Sequence, residues 1–168
     1  RSLAVVPHPA YLKHAAPVAR LAPAAHVPSD AVTQVVRSGR VVVHQDDHFR
    51  PAVGGRQVQA QPDQERDFGR VAQAGAVIVS GSQAHQPQAL EFKDSALIHY
   101  GLGNLFFDQY DVSDACRQAF IDRHVFYAGR HIATELLPIL FVDYARPRPM
   151  TESEREDLLR SVFNASGW

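Results

Sequence analysis

Gly75 constrains the fold more than any other residue, because it separates two segments of different periodicity. Before it, Pro62 to Ala74 reads as a helix. Pro62 suits the first helical position, Asp63 and Glu65 sit where the helix dipole favours anions, and Phe68, Val71 and Ala72 recur at helical spacing. Gly75 is the stop. Directly after it, Ala76 to Ser80 is short and β-branched and reads as a buried strand. The same order occurs upstream. Ser29 and Asp30 cap a short helix through Val36, Gly39 ends it, and Val41 to Val43 follows as a buried strand. Helix then strand, twice over, predicts α/β layering.

Elsewhere the chain reads as shorter pieces. Leu3 to Val6 is a strand stopped by prolines, and Pro17, Pro23 and Pro28 forbid one long helix over residues 10 to 32. His44 to Gly55 is a loop. After residue 90, Leu90 to Phe92, Ala96 to Tyr100 and Leu105 to Phe107 read as strands, with a hairpin turn at Lys93 to Ser95. Ala119 to Tyr127 and His131 to Leu137 flank Ala128-Gly129-Arg130 as a second hairpin, and Leu140 to Tyr144 extends its second arm beyond Pro138. Residues 145 to 168 form a connector, Arg146-Pro147-Arg148-Pro149, and a last helix. Thr151 and Glu154 make that helix a capping box, and Leu158, Leu159, Val162 and Phe163 give it an apolar face through about Phe163.

Bulk properties exclude several classes. At 168 residues the chain is long enough for one domain with a core. A net charge of −1 supplies no basic field for nucleic acid. A lone Cys116 rules out an intrachain disulfide framework and suits either the cytoplasm or an exported domain without bridges. The longest uncharged apolar run, Leu136 to Val142, is far short of the about 20 residues of a membrane span. Only Tyr11, Phe49 and Phe68 among the aromatics precede residue 90, so the N-terminal third, built on Ala, Val and Pro, is expected to be the weaker part.

Candidate chemistry gathers at strand ends. His85 follows Gly81-Ser82-Gln83-Ala84 just past a buried strand. It is a metal ligand or general base on one reading, and a loop histidine bonded to nearby backbone on the other. His44 and His48, with Asp46 and Asp47 between them, follow the strand Val41 to Val43. In a parallel sheet the C-terminal ends of neighbouring strands lie together, so the two loops meet if these strands are neighbours. Imidazole with carboxylate suits a divalent cation, while a solvated polar loop is the bland alternative. Gly101-Leu102-Gly103-Asn104 is not a dinucleotide fingerprint, because Phe106 occupies the third glycine position and strand follows. It reads as a tight backbone passage. Gly81-Ser82 lacks the frame of a nucleophile elbow. Cys116 has no histidine partner, Asn164-Ala165-Ser166 is a glycosylation match of the kind common by chance, and His124 and His131 read as structural.

The segments Ala74 to Gly81 with Ala84 to Gln88, and Tyr100-Gly101-Leu102-Gly103-Asn104-Leu105-Phe106-Phe107-Asp108, resemble the capsule-synthesis, poly-γ-glutamate-biosynthesis (CapA-type) family. Val41-Val42-Val43-His44, or the later His48, falls where that family has a strand ending in histidine. The resemblance spans about residues 41 to 110. It implies the C-terminal part of a calcineurin-like metallophosphoesterase α/β sandwich, with β-hairpins and a C-terminal helix. It also implies a divalent metal (Mn, Zn or Fe), with His44, His48 and His85 as ligands. Asp46, Asp47, Ser82, Gln83 and Asn104 would then lie behind the ligands or against substrate.

The chain departs from the family pattern in two places. Ser82 stands where the family has a histidine directly after the glycine. The family's early Gly-Asp and Asn-His motifs have no counterpart, and the chain starts at Arg1 rather than Met, so residues 1–168 read as a single, N-terminally truncated domain. A two-metal site needs those ligands. The expected function is therefore a capsule or polyglutamate synthesis protein with an incomplete metal site. An active phosphoesterase or γ-glutamyl hydrolase, and a metal-free binding or scaffold module, are the alternatives. The resemblance implies polyglutamate or cell-envelope polymer machinery as partner and the cell envelope as location, with the cytoplasm as the other option. Truncation would uncover a sheet edge, so self-association is expected.

Overall fold

Among the described residues, two small sheets and two helices make up a mixed α/β fold. The computed structural model describes residues 4–7, 33–35, 41–44, 58–105, 107–128 and 130–168, the first three stretches as backbone alone. The strands are β1 (Ala4–Pro7), β2 (Thr33–Val35), β3 (Val41–His44), β4 (Ile78–Gly81), β5 (Leu90–Lys93), β6 (Ala96–His99), β7 (Gln118–Tyr127), β8 (Arg130–Val142) and β9 (Arg146–Pro149). The helices are α1 (Pro62–Gln73) and α2 (Glu152–Ala165).

The larger sheet has the order β2-β3-β4-β6-β5. Its three middle strands are parallel, and β2 and β5 run antiparallel to their neighbours. The apolar runs at Val41 to Val43 and Ile78 to Ser80 thus lie in interior strands, where such runs belong. The smaller sheet is built on β8, which pairs with β7 along one side and with β1 and β9 along the other.

Strand alternation divides the core in two. Val79, Ile98 and Tyr100 face α1 and pack with Phe68, Val71 and Ala72. Ile78, Leu90 and Leu97 face the other way and meet Phe120 and Leu136 of the hairpin and Leu158 and Val162 of α2. The result is three layers: α1, the five-stranded sheet, then the hairpin sheet with α2.

Local chemistry explains the helix ends and turns. In α1, the Gln64 side chain accepts from the Gln61 backbone N–H at 2.9 Å, and Gly75 leaves the helix with φ 102°. In α2, Thr151 and Glu154 exchange backbone-to-side-chain bonds of 2.8 and 3.4 Å, as the capping box predicts. Asp94 and Ser95, both at positive φ, form the two-residue β5–β6 turn.

Four expectations are corrected. The helix expected through Val36 is not found at residues 33–35, which form β2 and pair with β3. Thr33 and Val35 are β-branched, and strand pairing outweighs the Ser29-Asp30 cap signal. Neither Leu105 nor Phe107 lies in a strand, because the preceding Leu102 and Gly103 bridge to Pro87 and Ala119 and turn the chain away. Arg146 to Pro149 is not a free connector but an edge strand on β8, where proline's missing N–H costs little. Strand β4 starts at Ile78, two residues later than expected. The expectations for residues 8–32 and 45–57 lie outside the described residues. Among the described residues, no helix is long and apolar enough to cross a membrane.

Candidate functional site

Parallel pairing sets the C-terminal ends of three strands side by side. His44 of β3 lies opposite Gly81 of β4, and Ser80 of β4 lies opposite His99 of β6. The strand ends expected to meet are therefore neighbours through their backbones. Gly81 is obligatory here, since a Cβ would stand 2.0 Å from the Tyr100 carbonyl oxygen. The chain leaves β4 there and runs through Ser82 to Ala89 before re-entering the sheet at β5.

That loop is tied down by the returning segment. Leu102 donates its N–H to the Gly81 carbonyl at 3.1 Å, and Gln88 donates to Gly101 at 2.9 Å. Gly103 has φ 80°, and a Cβ on it would lie 2.2 Å from the Gln118 carbonyl oxygen. The tight backbone passage expected for Gly101 to Asn104 is what the geometry requires.

His85 is half-buried, at φ 54°, with its ring 4.6 Å from that of Phe107. Its Nδ1 lies 3.0 Å from Asn104 Oδ1. The amide of buried Asn104 is oriented by two carbonyls: Nδ2 donates to the His85 and Cys116 backbone oxygens, each at 3.1 Å. Oδ1 is therefore the atom facing the imidazole, and it can only accept. His85 Nδ1 must carry the hydrogen, which leaves the lone pair of the neutral ring on Nε2. A half-buried imidazole held through Nδ1 by an acceptor suits a metal ligand or a proton acceptor at Nε2.

The other expected site residues fall differently. Ser82 is exposed and Gln83 half-buried on the same loop. His44 ends β3, while Asp46, Asp47 and His48 lie outside the described residues. Among the described residues, no three His, Cys, Asp or Glu side chains gather so as to hold a metal ion. The described donor set fits one ligand, not a complete centre. Cys116 is buried in a 3-10 turn, Asp114–Arg117, capped by Ser113.

Sequence reasoning missed His99. It is 1% exposed at the end of β6, and its Nδ1 lies 2.7 Å from Asp122 Oδ2. The signal was available in the alternation. His99 shares the face of Leu97, which turns towards the hairpin, and Asp122 shares that of Phe120, which turns back.

Residues 41–109 match the family model described as bacterial capsule synthesis protein PGA_cap. The match covers β3 to the loop after β6, including His85 and Asn104, and leaves the β7–β8 hairpin and α2 outside. No curated protein matches the chain.

Proposed function

We propose, from the match of residues 41–109 to the PGA_cap family, that the chain is part of a bacterial capsule or poly-γ-glutamate synthesis protein. On this reading it has a calcineurin-like metallophosphoesterase fold and carries an incomplete metal site. The observation that carries the site is the hold of Asn104 on His85. A metal-binding imidazole needs one unprotonated nitrogen and an acceptor on the other, and His85 has that arrangement.

His44, whose backbone sits beside Gly81, is the proposed second ligand, with His48 as its alternative. Asp46 and Asp47 are the proposed carboxylates near them, and Ser82 and Gln83 the residues facing substrate. A bound divalent cation (Mn, Zn or Fe) would supply Lewis-acid chemistry. What these residues do themselves is narrower. Asn104 holds the His85 tautomer, and the Gly81 and Gly101 contacts fix the loop that carries it. Hydrolysis of phosphoesters or γ-glutamyl bonds would need a complete ligand set. The proposed partner is polyglutamate or cell-envelope polymer machinery, at the envelope.

Metal titration of the purified chain tests this. Less than one tightly bound equivalent of Mn²⁺ or Zn²⁺ is expected. His85→Ala should weaken the residual binding, and Asn104→Ala should weaken it by about tenfold or more through loss of ring orientation. Two tightly bound equivalents would overturn the incomplete site. Unchanged affinity in His85→Ala would remove His85 from the ligand set.

A further inference from the structure

A run of polar side chains, buried except for half-buried His124, lies where the hairpin faces the five-stranded sheet, apart from His85. His99 and Asp122 are bonded at 2.7 Å, with side chains 1% and 4% exposed. Neither His99 Nε2 nor Asp122 Oδ1 has a hydrogen-bond partner among the described residues. Two residues along β7, His124 Nδ1 lies 2.7 Å from Thr134 Oγ1. From β8, His131 Nε2 approaches the same oxygen at 2.8 Å. Thr134 is fully buried, and the two imidazole centroids are 5.8 Å apart.

Charge constrains this triad. A threonine hydroxyl has one hydrogen and two lone pairs, so its oxygen can donate to one imidazole nitrogen and accept from the other, or accept from both. Two charged rings would both point N–H at the same oxygen, and their charges would repel in a weakly screened interior. The folded arrangement thus suits at most one charged imidazole.

Burial pushes the His124 imidazole below its ordinary range, the Asp122 carboxylate opposes that shift, and His99 reinforces it. The facing groups are His99 from β6, Asp122 from β7, and Thr134 and His131 from β8. Phe126 packs on His131. Arg123 and Glu135 pair on the opposite face of the hairpin.

We propose that the His124–Thr134–His131 triad, seated beside the His99–Asp122 pair, is an acid-sensitive latch that fastens β7 to β8 where the hairpin faces the five-stranded sheet. The latch is closed while one imidazole of the triad is neutral and opens when both are charged. The sign follows from the depressed His124. Its contribution is complete above the ordinary histidine value of about 6.5 and is lost as pH falls towards the lower folded value.

Amide hydrogen exchange on the intact chain from pH 7.5 to 5, read as protection factors, tests the latch. Below pH about 6.5, β7 and β8 protection should fall by about tenfold per pH unit, one proton being taken up on opening. Protection in α1 and β4 should fall less. His124→Gln keeps a partner for Thr134 but cannot charge, and should flatten the dependence. Thr134→Ser keeps the hydroxyl and should retain it. Histidine proton titration by NMR on the wild-type chain decides the matter if His124→Gln does not fold. One ring of the triad should stay neutral for as long as the hairpin is protected. Hairpin protection independent of pH, both rings charged in a protected hairpin, or a wild-type slope in His124→Gln would each overturn the proposal.

Discussion

The two faces of the five-stranded sheet are held by different physics. Towards α1, Val79, Ala96, Ile98 and Tyr100 meet Phe68, Val71 and Ala72 in an apolar layer. Towards the hairpin, the apolar contacts of Ile78, Leu97, Phe120 and Leu136 are interrupted by His99, Asp122 and Thr134. Apolar burial is non-directional and scales with area. A buried His–Asp bond holds at one register only, because a one-residue slip of β7 would turn Asp122 to the other face. The α1 face therefore supplies stability, and the hairpin face adds a choice of register at a cost in desolvation.

The largest effect should come from the dry face. Phe68 is fully buried and stacks on Tyr100 with ring centroids 5.3 Å apart. Phe68→Ala should cost about 3–5 kcal/mol in urea unfolding. A cost near that of a surface change would mean that α1 does not anchor the sheet. Next, Asp122→Ala should cost about 2–3 kcal/mol, because it leaves His99 buried with neither nitrogen bonded. The double variant His99→Leu/Asp122→Leu should recover most of that loss, since removing both partners removes the desolvation penalty. If the double variant is as unstable as the single, the pair does more than choose register.

The smallest effect lies outside both faces. Arg148 bonds both Glu154 carboxylate oxygens, at 2.8 and 2.7 Å, and with the Thr151 backbone holds the Glu154 carboxyl down to about 2. Both side chains are about one-third exposed, so solvent screens the pair, and Glu154→Gln should cost no more than about 1 kcal/mol. The depressed carboxyl contributes above its ordinary value near 4.5 and loses that contribution as pH falls towards about 2. Acid unfolding of the variant should show a shallower limb in that window.

Local signals read well from the chain where they concern one element. The Pro62 helix start, the Gly75 stop, the Thr151–Glu154 box and the two hairpins are set by neighbours a few residues apart. Pairing across the sheet was less legible. Thr33 to Val35 became a strand because β3 lies beside it, and Arg146 to Pro149 because β8 offers an edge. At the candidate site, His85 stood out by its place after a buried strand. Its tautomer did not, since that depends on carbonyls brought to Asn104 from residues 85 and 116. His99 escaped notice for a similar reason, because its partner is 23 residues away on another sheet.

Asn104 has a consequence for sequence drift at position 116. The amide grips the main-chain oxygen of Cys116 and not its sulfur. That half of the clamp is indifferent to the side chain there, so any small residue that keeps the turn can stand in for the thiol. Position 104 has no such latitude. Aspartate would lose both donors, leucine would lose every bond, and His85 would lose its tie to the root of the hairpin. A lineage could discard its lone cysteine without disturbing the histidine, whereas the first change at the asparagine would be felt there.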